Sequence, residues 1–195
     1  MNSLLEFYNF FKDTYVSDTL LSLDQIYGDL EIQSQKFKKD YTISCPIGCG
    51  TCCEHFLPEI SQAEALMVAV YLKFILKDTK LIDSVLNNTK QDCCPLYNKE
   101  NPNHCTVYSA RPLICRLFGA STNSDKNGIP VFRKCIFNKT SSMPDKLYIL
   151  NDRPVEMMDY GIRIANLSSS LELLDKAVTR QLEMLDIFYI GISKQ

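Results

Sequence analysis

At 195 residues and a net charge of −2, the chain is long enough to bury a core and too near neutral to be drawn to nucleic acid or an acidic membrane surface. Its 46% hydrophobic and 23% charged content is an ordinary globular balance, and no apolar run reaches the length of a membrane span. The start, MNSLLEFYNFFKDTYVSDTL, has no basic region, long apolar stretch or small-residue cleavage site, so a reducing cytoplasm, where structural disulfides are uncommon, is expected.

Residues 1–40 read as helical. Leu4, Tyr8, Phe11 and Tyr15 recur at helical spacing, and so do Leu20, Leu23, Tyr27 and Leu30. They predict two amphipathic helices, or one long bent one, burying an aromatic stripe. Ser61-Gln62-Ala63-Glu64 matches a capping box. The run QAEALMVAVYLKFILK that follows is apolar nearly all round, which predicts a central, buried helix over 62–77. Leu81, Ile82, Val85 and Leu86 predict a short second helix. Pro112 fits a first helical turn and places Cys115 and Arg116 on a short helix. Asn127-Gly128 suits a hairpin turn, with Pro130 confining the second strand to an edge. Towards the end, Pro154 opens a helix with Met158, Ile162 and Ala165 inward, and Leu171, Leu174, Val178, Leu182 and Leu185 form a stripe on another. The fold class expected is mainly α: a single domain, 1–195, with helices at both ends (1–40 and 152–193) packed around a cysteine-rich, loop-heavy middle (44–136) that carries a short β-hairpin.

All nine cysteines lie in that middle. An odd number cannot pair completely, and nine thiols in a reducing compartment read better as metal ligands than as bridges. SCPIGCGTCCEHF puts Cys45, Cys49, Cys52 and Cys53 within nine residues. Gly48 and Gly50 permit a tight turn and Pro46 preorganises it, the setting of a metal knuckle. Thiolates are soft ligands for zinc or iron. Adjacent Cys52 and Cys53 point in different directions, which strains a single zinc site and leaves three geometries: two metal centres, one ligand of the pair, or a multi-iron cluster. Cys94, Cys105, Cys115 and Cys135 complete eight thiols, with Cys93 as the spare. Arg111, about one turn before Cys115, and Arg116, next to it, are candidates for supporting a negatively charged site from behind the ligands; Arg133 and Lys134 flank Cys135, and Lys134 reads as surface charge. His55 and His104 each lie within two residues of a cysteine, yet with eight thiols present they read as surface or supporting residues.

CPIGCGTCC followed by CPLY and CTVYSARPLICRLFG resembles the CxxCxxCC cysteine-cluster family, also called YkgJ-like, a zinc- or iron-chelating domain with eight characteristic cysteines. The resemblance covers about 44–136 and is carried by Cys105, Tyr108, Arg111, Pro112, Cys115, Arg116 and Phe118. It implies a ligand set of Cys45, Cys49, Cys52, Cys53, Cys94, Cys105, Cys115 and Cys135. The first spacing, Cys45 to Cys49, is one residue longer than the family name describes. Flagellin lysine N-methylases carry a related cluster, which extends the analogy to methyl transfer without establishing it. Cys45-x3-Cys49-x2-Cys52 also has the spacing of the radical S-adenosylmethionine motif, but the chain lacks the βα alternation of that barrel.

The expected cofactor is therefore an iron–sulfur cluster, or Zn2+, and the expected role is redox or cluster-dependent chemistry with an unidentified protein or redox partner. The alternatives are a zinc-stabilised interaction module and a cluster-dependent methyltransferase-like enzyme. No glycine-rich dinucleotide loop, Walker motif or His-Glu-x-x-His is present to name a substrate.

Overall fold

The computed structural model describes residues 11–44, 49–132, 135 and 156–192. The expectations resting on Leu4, Tyr8, Cys45, Pro46, Gly48, Arg133, Lys134 and Pro154 lie outside these residues.

Helix α1 spans Tyr15–Asp40, and the Thr14 side chain caps it by accepting the Ser17 N–H. Asp18 in its first turn and Lys38 and Lys39 in its last complement the helix dipole. Leu20, Leu23, Tyr27 and Leu30 are buried along one face, as the spacing predicts, while Tyr15 is half exposed and sets its ring edge-on to Phe188. Strand β1 (Glu59–Ser61) leads directly into α2 (Gln62–Val70). The capping box is formed in both directions: Ser61 Oγ accepts the Glu64 N–H, and the Glu64 carboxylate accepts the Ser61 N–H. Helix α2 is buried along nearly its whole length and loosens into a π turn over Tyr71–Leu76. Lys77, left-handed at φ 54°, ends it. Helix α3 (Thr79–Leu86), capped by Asp78, buries Val85 but leaves Leu86 exposed.

Beyond the cysteine-rich loops come α4 (Leu113–Leu117), the hairpin strands β2 (Asn123–Ser124) and β3 (Pro130–Val131), α5 (Met157–Ala165), β4 (Leu171–Leu173) and α6 (Leu174–Ile192). The hairpin is the expected one: Gly128 takes φ 75° at the turn, and β2 pairs antiparallel with β3. Pro130 sits at the start of its strand, where the missing N–H breaks no ladder. Pro112 takes the capping position of α4 and not its first turn, with an extended ψ of 164°.

The C-terminal part departs from its expected phase. Helix α5 turns Tyr160 and Ile164 inward, whereas Met158 and Ile162 are 59% and 57% exposed and Ala165 is exposed too. The helix carries two apolar stripes, and periodicity alone does not choose between them. The stripe that faces α1 is joined by polar bonds, since Tyr160 and Arg163 both reach Asp29. Leu174, Val178, Leu182 and Leu185 are buried as predicted, but Leu171 is exposed because it belongs to β4. Strands β1 and β4 pair antiparallel, Ile60 opposite Glu172, and so tie the starts of α2 and α6 together.

Helices α2 and α6 pack on each other, with α1 and α3 against them and α5 against α1 and α4. Each buried leucine or valine stabilises this stack by about 1.5–3 kcal/mol. The architecture is mainly α, with helices at both ends and the cysteines in the middle. No helix among the described residues is long and apolar enough to cross a membrane.

Candidate metal centre

The thiols that meet at the site come from three separate stretches of chain. The first is the turn at 49–55. There the Cys53 N–H donates to the Gly50 carbonyl at 2.8 Å, and Lys99 pairs with Glu54 at 2.7 Å, tying the turn to the next loop. That loop, 94–106, closes on itself. Cys105 bridges antiparallel to Tyr97, and Thr106 N–H donates to the Leu96 carbonyl at 3.0 Å. Its tip is built by two asparagines, whose side-chain oxygens accept the Glu100 and Asn103 N–H groups.

The segment from Tyr108 to Phe118 is held by its own arginines. Tyr108–Ala110 is one 3-10 turn. Arg111 folds back over the Tyr108 ring at 3.5 Å and donates Nε–H to the Tyr108 carbonyl at 3.0 Å and Nη1–H to the Cys115 carbonyl at 3.4 Å. Arg116 lies over the Tyr27 ring at 4.1 Å and donates to the Arg111 and Ser109 carbonyls at 2.7 and 2.8 Å. Both guanidiniums therefore work first as clamps on backbone carbonyls.

Pro112 has no side-chain acceptor with which to cap α4. The cap comes instead from another helix: Glu64 Oε1 accepts the Leu113 N–H at 2.6 Å and the Tyr27 hydroxyl at 2.9 Å. Glu64 Oε2 accepts from Ser61 Oγ and Ser61 N at 2.8 and 2.9 Å. One carboxylate, 4% exposed, thus joins α1, α2 and the helix that carries Cys115. Glu64 is a structural key to the site that sequence reasoning saw only as half of a capping box.

Four of the predicted ligands meet. Cys53, Cys94, Cys105 and Cys115 line one cavity of about 30 Å3, with Phe56, Leu96, Val107 and Leu174 as its apolar wall and Arg111 beside it. Arg116 does not line it. Cys52 is exposed, with its Sγ 3.9 Å from that of Cys53. Cys49 lies against Thr51 at 3.7 Å, and Cys135 sits near Gly119, where an added Cβ would stand 3.5 Å from the Cys135 Cβ. The spare Cys93 turns to the Cys94 carbonyl and stays out of the cavity lining. Among the described residues, no three His, Cys, Asp or Glu side chains are placed so that they could hold one metal ion together.

Burial shapes the acidity of these thiols. It pushes Cys94 up to about 12, and it raises Cys105 and Cys115 above the usual thiol range. The Arg111 guanidinium opposes the rise at Cys105 and Cys115. Cys53 goes the other way, because the Cys52 thiol donates a hydrogen bond to it. The donor set is thus soft, largely desolvated and poised to exchange protons for a thiophilic cation.

Residues 44–140 match the model of the CxxCxxCC family, described as a "Putative zinc- or iron-chelating domain". That segment belongs to this family. No curated protein and no solved structure matches it. The CxxCxxCC segment contains all nine cysteines and both arginine clamps, and the four converging thiols all come from it.

His104 also lines the cavity, although its sequence position suggested only a surface or supporting role. The imidazole packs edge-on to Tyr97 at 5.9 Å, and Nδ1 is buried without a hydrogen-bond partner. The one signal in the sequence was the adjacency of His104 to Cys105.

Proposed function

We propose that the chain is a metal protein in which Cys53, Cys94, Cys105 and Cys115 hold an iron–sulfur cluster in a redox or cluster-dependent role. The observation that carries this reading is the convergence of four thiols, from three separated stretches, on one apolar cavity. Soft, desolvated thiols fit iron or zinc and fit hard cations poorly. No set of three donors among the described residues grips a single ion as placed, and a cluster, whose irons are spread in space, accepts wider thiolate spacing. When bound, such a cluster supplies one-electron transfer at a potential set by its surroundings.

The chain's own residues define those surroundings. Phe56, Leu96, Val107 and Leu174 keep water from the thiols. Arg111 offsets part of their negative charge and is fixed over Tyr108. Glu64 and Arg116 hold the backbone that presents Cys115. Exposed Cys52 gives the site a face towards solvent, where a redox partner protein can approach. A reducing cytoplasm keeps such thiols free to bind.

The cavity volume favours a second reading. About 30 Å3 is room for only one or two water-sized groups, enough for a single zinc ion in a structural site without catalysis. Elemental analysis with an absorption spectrum on anaerobically purified protein separates the two. Iron with matching sulfide and broad visible absorption is expected. Zinc alone in a colourless protein would overturn the cluster and establish the structural site.

A further inference from the structure

We infer that His104 is a metal ligand, contributing Nδ1 to the group held by the thiol cavity; this rests on the metal-binding reading proposed above. Nδ1 is the single buried side-chain nitrogen or oxygen among the described residues that has no hydrogen-bond partner. Leaving such a group unpaired costs about 1–3 kcal/mol, so its position calls for a partner. The imidazole lines the same cavity as Cys53, Cys94, Cys105 and Cys115.

The backbone is arranged to put it there. His104 has φ 52°, a left-handed conformation uncommon outside glycine. Its N–H donates to the Asn101 carbonyl at 2.8 Å, and its own carbonyl accepts the Asn98 N–H at 3.1 Å, which holds the residue in place. Successive side chains on an extended strand point to opposite faces. The left-handed turn at 104 removes that alternation, and the His104 and Cys105 side chains both line the cavity. The Gly50 turn is cut to fit the ring: a Cβ on Gly50 would stand 2.2 Å from the His104 Cβ and 2.3 Å from Nδ1. The turn that delivers Cys53 therefore needs glycine at 50 to admit this ring.

Charge points the same way. Four thiolates leave a net charge of about −2 on Zn2+ or on a [4Fe–4S]2+ core; with the His104 imidazole taking the place of one of the four cavity thiols, three thiolates and a neutral imidazole leave about −1. The cavity is apolar and, among the described residues, has one guanidinium beside it, Arg111. The smaller charge is the one that a single arginine can balance in a poorly hydrated site.

X-ray absorption at the metal edge tests the assignment on the intact, metal-loaded chain. The expected first shell contains sulfur plus one nitrogen, with the outer-shell scattering of an imidazole ring. His104→Leu loses that imidazole signature and binds the metal at least about tenfold more weakly, while His55→Leu keeps it. A sulfur-only shell in the wild-type protein overturns the ligation and leaves the metal-binding reading standing; so does an imidazole signature that survives in His104→Leu. A wild-type protein that contains no metal overturns both. The wild-type spectrum decides the question even where His104→Leu does not fold.

Discussion

The helical stack and the thiol cavity are held together by different means. In the stack, α1, α2 and α6 bury Leu23, Ala65, Leu66, Val68, Ala69, Val70, Ala177 and Val178 almost completely, and apolar packing carries the stability. Around the cavity, the described residues carry little regular structure: one short helix, a 3-10 turn and a closed loop. There the chain is fixed by side chains bonded to backbone, from Glu64, Arg111, Arg116, Asn98 and Asn101. The difference teaches where each part draws its folding energy. The stack can form from its own core, whereas the thiol region leans on a few polar keys and on the metal it binds.

Stripping the metal is the largest perturbation of that contrast. Structural thiolate sites contribute on the order of 10 kcal/mol. A chelator should open residues 49–57 and 93–119 to proteolysis while helical circular dichroism falls only slightly. Cys115→Ala should do the same. Loss of helix in step with loss of metal would show that the two regions fold as one.

Two buried substitutions sharpen the comparison further. Glu64→Ala leaves the Leu113 N–H, the Tyr27 hydroxyl and the Ser61 donors without their acceptor. At about 1–3 kcal/mol for each buried orphan, partly relieved by relaxation, the cost is about 4 kcal/mol, and metal content drops because α4 loses its anchor. Leu66→Ala creates a cavity in the stack and costs a similar ~3 kcal/mol. It should leave metal stoichiometry at the wild-type value. Denaturant unfolding beside metal analysis reads both. Equal metal loss in the two variants would erase the distinction between a cap and a core residue.

The pH response should divide the loaded protein from the stripped one. Burial raises Cys94 from an ordinary 9.0 to about 12, and raises Cys105 and Cys115 as well. Between those values the folded, metal-free chain binds more protons than the unfolded chain. Its stability is therefore full below pH 9 and is lost as the pH climbs towards 12. With metal bound, the thiols are ligands without protons, so the loaded protein resists alkali and fails instead on the acid side, where protons displace the ion. Thermal melts of both forms across pH 5–11 should give curves that slope in opposite directions.

Much of the stack was legible in sequence because its signals are local and periodic. The capping box at Ser61, the all-round apolar run after it and the stripe from Leu174 to Leu185 each state their own structure. Helix α5 was misread in phase because two apolar stripes compete on it, and the winning one is chosen by Asp29, more than a hundred residues away. The pairing of β1 with β4 was invisible, since three residues carry too little alternation to announce a strand. At the site, the thiols could be counted but not grouped. Which four converge depends on loop closure at 94–106 and on the Glu64 cap, both of which are long-range or irregular. His104 was undervalued because its left-handed backbone and its fit against Gly50 leave no mark in the spacing.

The smallest expected effect is at Cys93, and it isolates grouping from composition. Cys93 and Cys94 are neighbours with the same chemistry and similar partial exposure. The Cys93 thiol bonds weakly to the Cys94 carbonyl at 3.7 Å, whereas Cys94 lines the cavity and is pushed up to about 12 by burial. Cys93→Ala removes only a long sulfur contact and should change stability by less than about 0.5 kcal/mol, with metal content at the wild-type level. Cys94→Ala, one residue on, should release metal and expose the loop. If the thiols acted as a loose local pool, either neighbour could serve and the two variants would behave alike. A clear split between them would establish that the fold, and not the density of cysteines, selects the ligands.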